Sequence, residues 1–430
     1  MSGEGPARVA VVGAGYVGLT TAACLAHLGH DVTCADVDAA KVASLSDGLI
    51  PIHEEGLAEL VREGIGAERL RFVVGAAKAV AGAGFVFLCV PTPQGPDGAA
   101  DMSYVEAVAV EIGPLLEHDA IVVNKSTVPV GSTRVVERAL GRPGVAVVSN
   151  PEFLREGSAV SDFLHPDRIV IGADEQSAAI SLVELFGSIR SPVVVTDPPT
   201  AETIKYASNA FLATKVSFAN AIANVCEAVG ANVREVVLGM GYDRRIGSEF
   251  LRPGPGWGGS CFPKDSAALV RIAEDAGYDF GLLKGVIAVN EEQRSRVVAK
   301  AVRMAGGSVK DKVVALWGLT FKARTDDLRD SPALDIAGRL AARGARVRAY
   351  DPTVGRPLED LDLEVCTDPY AACENAHVLV LATERDELRW LDFAKVGELM
   401  AARAVVDARN LLEPAMLRRL GFAYEGIGIL

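Results

Sequence analysis

A short apolar run, Arg8 to Val12, leads directly into Gly13-Ala14-Gly15-Tyr16-Val17-Gly18 and then into a helical apolar pattern that lasts to Leu28. Strand, GxGxxG and helix in that order leave few folds open. Gly13 suits the tight turn, Gly15 lets a pyrophosphate reach backbone N–H groups at the helix N-terminus, and Gly18 allows close packing of helix on strand. The motif alone is weak evidence. Here a second strand pattern, Asp31 to Ala35, ends in Asp36, eighteen residues after Gly18, where a carboxylate can accept hydrogen bonds from ribose hydroxyls. The same carboxylate repels a 2'-phosphate, so the expected cofactor is NAD rather than NADP.

Two more strand patterns end in polar turns: Phe85 to Val90 before Pro91-Thr92-Pro93, and Ala120 to Asn124 before Lys125-Ser126-Thr127-Val128-Pro129. Ligands of open α/β sheets bind beyond the carboxyl ends of strands, which makes Thr92 and Thr127 candidates. A further run, Val145 to Val148, precedes Ser149-Asn150-Pro151-Glu152-Phe153-Leu154-Arg155-Glu156-Gly157. If this stretch forms a short helical turn, Glu152 and Glu156 share a face, one suited to positioning and the other to acid or base work.

From Glu202 to Val229 there is no glycine or proline, and Ile204, Phe211, Phe218 and Val225 recur every seven residues. The pattern predicts a helix of about 28 residues, roughly 42 Å long. Its seam offers a dimer surface, although the helix could equally be buried within one subunit. Lys205 and Asn209, four apart, project from one side and could converge on one polar ligand atom. Helical patterns resume from Asp265 to Ala276 and from Leu282 to Met304.

Between them lies Pro253 to Asp265, PGPGWGGSCFPKD. Cys261, Lys264 and Asp265 fall within five residues, behind four glycines expected to let backbone approach a ligand closely. The thiolate is the nucleophilic form of cysteine, and a nearby cation favours it. The other six of the seven cysteines sit in apolar strand or helix patterns or near the chain end. Cys261 alone occupies a polar, glycine-rich loop.

The last third echoes the first. Leu340 to Asp351, LAARGARVRAYD, follows the outline of Leu25 to Asp36, LAHLGHDVTCAD, and strand patterns at Val378 to Leu381 and Ala404 to Arg409 continue the parallel. The echo fails at the glycine motif, replaced by Leu316-Trp317-Gly318-Leu319-Thr320-Phe321-Lys322. A second dinucleotide bound in the same manner is not expected there; Lys322, Arg329 and Arg409 could instead grip another phosphorylated ligand. The expected fold class is α/β, with two doubly wound (Rossmann-like) domains joined by a long central helix and a helical middle domain. The boundaries fall at 1–200, 201–305 and 306–430.

The remaining composition narrows function by exclusion. At 430 residues there is room for two or three domains. Odd cysteine number, no CxxC and six scattered histidines imply neither a disulfide framework nor a metal site. A net charge of -13 disfavours nucleic acid as a partner. No long uncharged apolar run and no basic, apolar and then small N-terminal pattern is present, so no membrane partner is expected and the expected location is the cytoplasm.

Taken together, GAGYVG, VPTP, KSTVP, NPEFLREGSA with DFLHPDRIVIG, IKYASNAFLATK, FLRPGPGWGGSCFPKD, GLTFKARTDDLRDSP and VVDARN run over nearly the whole chain. In these the chain resembles the UDP-glucose and GDP-mannose dehydrogenase family, departing in small ways such as Trp257 where relatives often carry Phe. The resemblance implies an NAD-binding first domain, a central domain carrying the catalytic cysteine loop, a UDP-sugar-binding last domain, and Cys261 at the junction. It implies a homodimer or higher homo-oligomer in which Arg245 reaches the neighbouring subunit's substrate. The cofactor set is Gly13, Gly15, Tyr16, Val17, Gly18, Asp36, Lys41, Thr92, Thr127, Glu156, Lys264 and Arg329. Substrate contacts are expected from Glu152, Phe153, Leu154, Arg155, Glu156, Lys205, Asn209, Arg245, Phe250, Leu251, Arg252, Gly258, Phe321, Lys322 and Arg409.

The implied reaction is a four-electron oxidation at C6 of UDP-glucose to UDP-glucuronate, with GDP-mannose or a UDP-N-acetylhexosamine as alternative substrates and a non-catalytic NAD-binding protein as the distant rival. An aldehyde cannot give up hydride until something adds to it; thiolate addition makes a thiohemiacetal that can, leaving a thioester for water to cleave. In that scheme Cys261 is the nucleophile and Lys205 the base or electrostatic partner at the C6 oxygen, which Asn209 helps to hold. Asp265 and Thr127 position water, and Glu156 is the hydrolytic base.

Overall fold

The computed structural model describes residues 5–95, 100–355, 357–359 and 361–429. It divides into two compact units, one of residues 1–208 and 267–275, the other of 209–266 and 276–430.

The first unit is built on eight strands: β1 (Arg8–Val12), β2 (Asp31–Asp36), β3 (Leu70–Val74), β4 (Phe85–Leu88), β5 (Ile121–Asn124), β6 (Ala146–Ser149), β7 (Ile169–Gly172) and β8 (Val193–Thr196). Their order is β3-β2-β1-β4-β5-β6-β7-β8, parallel except where β6 meets β7. Chain direction away from β1 reverses between β1 and β4, the switch point at which α/β sheets bind ligands. The inner strands β1, β4, β5, β6 and β7 read as nearly unbroken apolar runs because both faces are covered, whereas the edge strand β8 is exposed. Val9 and Val11 join one core with Phe87 and Val123, while Ala10 and Val12 join the other with Val86, Leu88 and Val122. Period-two alternation thus splits each strand between two cores, and each such Val, Leu or Phe contributes about 1.5–3 kcal/mol by leaving water.

The second unit has six parallel strands: β9 (Val313–Trp317), β10 (Arg346–Tyr350), β11 (Leu363–Val365), β12 (Ala376–Leu381), β13 (Ala404–Asp407) and β14 (Ala423–Gly426), ordered β11-β10-β9-β12-β13-β14. This is the same winding as the first six strands of the first unit. Trp317 lies fully buried in its core, with the indole N–H donating to Pro369 O at 3.0 Å. Both sheets are Rossmann-like, and the stretch between them is helical, as the sequence predicts.

The long helix runs from Pro198 to Val229, 32 residues, about 48 Å. It starts four residues before the expected Glu202 because Pro198 and Pro199 occupy the first turn, where no N–H is needed. Phe211, Phe218 and Val225 are 65%, 48% and 54% exposed, so the heptad seam faces solvent in the single chain. Lys205 and Asn209 are buried on the other side of the helix. The helices at 262–275 and 281–304 complete the middle region. Among the described residues no helix is long and apolar enough to cross a membrane.

Candidate functional site

Beyond β1 the chain turns at Gly13, whose φ is +102° and whose N–H donates to Ala35 O at 2.8 Å. A Cβ on Gly13 would lie 2.5 Å from Cys89 O, and one on Gly18 would lie 1.8 Å from Gly13 O. The fold itself therefore requires both glycines. Gly15 differs: it starts the Tyr16–His27 helix with φ −78° and ψ −170°, open to any residue, and a Cβ there would meet no protein atom within 4 Å. Nothing in the chain demands glycine at 15. A phosphate brought onto the helix N-terminus does, so these residues fit NAD.

Asp36 closes this turn. Its Oδ2 accepts from Ala14 N at 3.0 Å and Lys41 Nζ at 2.9 Å, and its Oδ1 accepts from Asp38 N at 3.0 Å. Partial burial works against the charge, but the Asp38 amide, Lys41 and the Ala14 amide together hold the carboxyl below its ordinary range. Val37, next in the chain, is 88% exposed. The sequence reading passed over it, since an apolar residue after a strand carries no signal by itself.

Tyr16 is tied down by a residue the sequence reading missed. Its hydroxyl donates to the buried Glu54, which also accepts from Gly157 N and Ala159 N at 2.7 Å each. Burial first, then the Glu54 carboxylate, pushes the phenol well above its ordinary value, so it stays a donor. Glu54 thereby links the glycine turn, through Tyr16, to the loop after β6. The turns beyond β4 and β5 are also joined, by Thr92 Oγ1 donating to Thr127 O at 2.7 Å. The buried Glu202 accepts from Gly131 N at 2.5 Å and from Thr133 N and Oγ1 at 2.9 and 2.8 Å, fixing the turn beyond Thr127.

The stretch 151–157 is not a helical turn, and Glu152 and Glu156 do not share a helical face. Glu152 Oε2 takes the Leu154 N–H at 2.6 Å, a local bond that competes with a helical turn. Glu152 is buried, accepting from Lys205 Nζ at 2.9 Å on its side chain and 2.7 Å on its carbonyl. Burial would raise its carboxyl; Lys205, the Leu154 amide and Lys125 outweigh that and hold it low. The Phe153 ring stacks on the Arg168 guanidinium, 3.6 Å from the centroid, with Lys205 Nζ at 5.4 Å. Leu154 is half-buried, Arg155 pairs with Asp162 at 2.6 Å, and the half-buried Glu156 bears electrostatically on Tyr16.

In the second unit Cys261 precedes the Phe262–Asp275 helix, and its carbonyl accepts the first helical bond from Asp265 N at 2.8 Å. Its half-buried thiol lies 3.6 Å from Ser260 Oγ. Asp265 is fully buried between Asn209 Nδ2, at 2.6 Å, and Lys264 Nζ, at 2.7 Å. A helix N-terminus favours negative charge. Geometry thus unites Cys261, Lys264, Asp265 and Asn209, while Lys205 sits one turn earlier on the long helix.

The glycines before Cys261 behave differently from expectation: neighbours in the chain, rather than an open path for a ligand, occupy their free sides. A Cβ on Gly256 would lie 2.6 Å from Asn290 Oδ1, on Gly258 2.1 Å from Asp330 O, and on Gly259 2.8 Å from the Phe321 ring. A Cβ on Gly254 would lie 3.3 Å from Arg409 Nη1. Asn290 further holds Trp257 by both main-chain groups, at 2.8 and 3.0 Å. The loop is therefore clamped onto the segments carrying Phe321 and Arg409. Phe250 takes a left-handed φ of +60°, Leu251 is buried and Arg252 exposed.

Arg409 donates to Phe321 O at 2.8 Å and Ala382 O at 2.9 Å and pairs with Glu384 at 2.8 Å. Lys322 Nζ stands 5.4 Å from the Phe321 centroid. Arg245 and Arg329 are each gripped by the aspartate two residues earlier, Asp243 at 2.6 Å and Asp327 at 2.7 Å. Where the first unit has Asp36 at the end of β2, the second has Asp351 after β10, bonded to Leu319 N at 2.8 Å but covered by the buried Arg385 at 3.0 Å. Thr383 also crowds Gly318, 2.4 Å from where a Cβ would stand. Both additions leave the second glycine turn poorly suited to a dinucleotide.

Comparison with known proteins matches three successive stretches of the chain to one family. Residues 7–190 match the UDP-glucose/GDP-mannose dehydrogenase family, NAD binding domain; 199–292 match that family's central domain and 315–414 its UDP binding domain. The chain is 44% identical over 429 residues to UDP-glucose 6-dehydrogenase TuaD of Bacillus subtilis (strain 168), covering 98% of this chain and 93% of that protein. It is 45% identical over 435 residues to UDP-glucose 6-dehydrogenase of Rhizobium meliloti (strain 1021), covering 98% and 99%. Among solved structures, a UDP-glucose dehydrogenase from the hyperthermophilic archaeon Pyrobaculum islandicum superposes with a TM-score of 0.90 at 37% identity, covering 100% of this chain and 99% of that one.

Proposed function

Because the chain belongs to the UDP-glucose/GDP-mannose dehydrogenase family, we propose that it is an NAD-dependent dehydrogenase that oxidises UDP-glucose at C6 to UDP-glucuronate. The observation that carries this reading beyond family membership is the Cys261 group: a thiol at a helix N-terminus, one turn from a buried carboxylate shared by Asn209 and Lys264. A two-electron alcohol dehydrogenase has no use for such a thiol. The functional division is 1–200 for NAD, 201–305 for the cysteine loop and 306–430 for the UDP-sugar.

NAD, when bound, takes hydride from C6 in each of two oxidations. Main-chain N–H groups at Gly13 to Gly18 would hold its pyrophosphate, Asp36 with Lys41 would receive the ribose, and the exposed Val37 would offer an apolar side to the adenosine. Lys205 accepts the proton of the C6 hydroxyl as the aldehyde forms, with Asn209 holding the oxygen. The Cys261 thiolate then adds to the aldehyde: a C–S bond forms, and the carbonyl pair on oxygen takes a proton to give a thiohemiacetal. As hydride leaves that carbon, Lys205 takes the hydroxyl proton from the C6 oxygen, and a thioester remains. Glu156 removes a proton from water positioned by Asp265 and Thr127; attack breaks the C–S bond, releases the acid and returns the thiolate.

Lys322 and Arg409 are assigned to the UDP-sugar, with Phe250 to Gly258 covering it. The exposed Phe211, Phe218 and Val225 seam supports a homodimer, in which Arg245 serves the neighbouring subunit. The test is NADH formation across a panel of nucleotide sugars. UDP-glucose should give the highest kcat/KM; preference for GDP-mannose or a UDP-N-acetylhexosamine would keep the chemistry and move the substrate. No NADH with any member would remove the enzyme reading.

A further inference from the structure

A second buried lysine stands behind the Lys205–Glu152 pair. Lys125, the residue after β5, is 5% exposed. Its Nζ donates to Asn150 Oδ1 at 3.0 Å, and Asn150 Nδ2 is fixed in turn on Val170 O at 2.7 Å. The ammonium also faces the rings of Phe163 and Phe186, 5.7 and 6.0 Å from their centroids. Its hydrogen-bond partner is thus a neutral amide. Burying an ammonium without a carboxylate partner is costly, and a methionine would fill the same space between two phenylalanine rings. The fold alone does not explain the charge.

Asn150 and Glu152 are two residues apart on the stretch after β6, so their Cα atoms are at most about 7 Å apart. One anchors Lys125 and the other Lys205. The groups that act on the Lys125 charge are Cys89 at the end of β4, Glu152, Lys205 on the long helix and Cys24 on the first helix. Burial, opposed by Cys89 and Glu152 and assisted by Lys205, pushes the Lys125 ammonium down to about 8. Both lysines in turn hold the Glu152 carboxyl low. The cluster contains two ammonium groups and one carboxylate, which leaves a surplus positive charge where water is scarce.

We propose that Lys125 is a positioning residue for the oxidation, acting through Lys205: from behind Asn150 it repels the Lys205 proton and so sets the pH at which Lys205 exchanges it. The direction does not depend on which form of Lys205 is active. Up to about pH 8, where Lys125 still carries its charge, removing that charge strengthens proton binding at Lys205, so whichever limb of the pH profile reports Lys205 in that range moves to higher pH. The inference rests on the role given to Lys205 above.

The experiment is kcat/KM for UDP-glucose against pH in wild type, Lys125→Met and Lys125→Arg, with circular dichroism and Tm recorded on each. Lys125→Met should move the Lys205 limb upward by about 0.5–1.5 pH units, while Lys125→Arg, which keeps a charge, should leave it within about 0.3 units of wild type. A merely structural lysine would lower Tm or activity in both variants without moving the limb. Should Lys125→Met fail to fold, Lys125→Gln retains a donor for Asn150 and should give the same shift. A wild-type enzyme inactive on every nucleotide sugar removes the underlying reading. An active wild type whose limb stays put in a folded Lys125→Met or Lys125→Gln removes this one.

Discussion

Lys205 donates from one ammonium to both the backbone carbonyl and the side-chain carboxylate of Glu152, at 2.7 and 2.9 Å, with both residues buried. A lysine proposed to handle the proton of a substrate hydroxyl is thereby held in one orientation by a partner that stays ionised.

Glu152→Gln leaves the ammonium buried without its countercharge, which should destabilise the protein by about 3–5 kcal/mol at neutral pH. The Glu152 carboxyl is depressed in the folded state, so its contribution is present above the unfolded carboxylate value, near ~4.3, and fades as pH falls through the lower folded value. The Tm gap between wild type and Glu152→Gln should therefore be full at about pH 7 and shrink below about pH 4. A gap that is constant across this range, measured by differential scanning calorimetry, contradicts the assignment.

At Asp36 the prediction concerns cofactor choice. Asp36→Asn removes the charge that repels a 2'-phosphate and leaves Lys41 close by, so the ratio of kcat/KM for NAD over NADP should fall by at least about tenfold. An unchanged ratio would detach Asp36 from the ribose.

Cys261→Ser should retain NAD binding, measured by fluorescence titration, and lose nearly all acid formation, because a hydroxyl is not appreciably ionised at neutral pH. Acid production at the wild-type rate would rule out covalent catalysis.

Glu156→Gln separates hydride transfer from hydrolysis. General-base help is typically worth about 100- to 10,000-fold, so this variant should give a burst of NADH and then stall, with a hydroxylamine-sensitive sugar-nucleotide adduct on Cys261 visible by intact mass. A slowed first hydride transfer with no adduct would move Glu156 to substrate positioning.

The first nucleotide-binding turn was legible in the sequence because its logic is local: strand, three glycines and the acid that closes the turn lie within about thirty residues. The winding of the second unit was legible for the same reason, as an echo of the first. What escaped were pairings across the chain. Glu152 and Lys205 are 53 residues apart, and no spacing rule joins them. Glu54, 38 residues from Tyr16, reads in sequence as one more polar loop residue. The four-residue spacing of Glu152 and Glu156 misled, because the bond from Leu154 N to the Glu152 side chain competes with a helical turn. Glycines 256, 258 and 259 were legible as close approaches, but the approaching groups, Asn290, Asp330 and Phe321, come from distant segments. Arg385 turned a ribose-type carboxylate into a buried ion pair, a change invisible without tertiary contact.

The most direct test of the four-electron account is stoichiometry: NADH formed per UDP-glucose consumed, with an aldehyde trap present. The account predicts a ratio of two, with no trapped aldehyde, because capture by Cys261 keeps the intermediate on the enzyme until the second oxidation. A ratio of one, with the aldehyde recovered from solution, would contradict it.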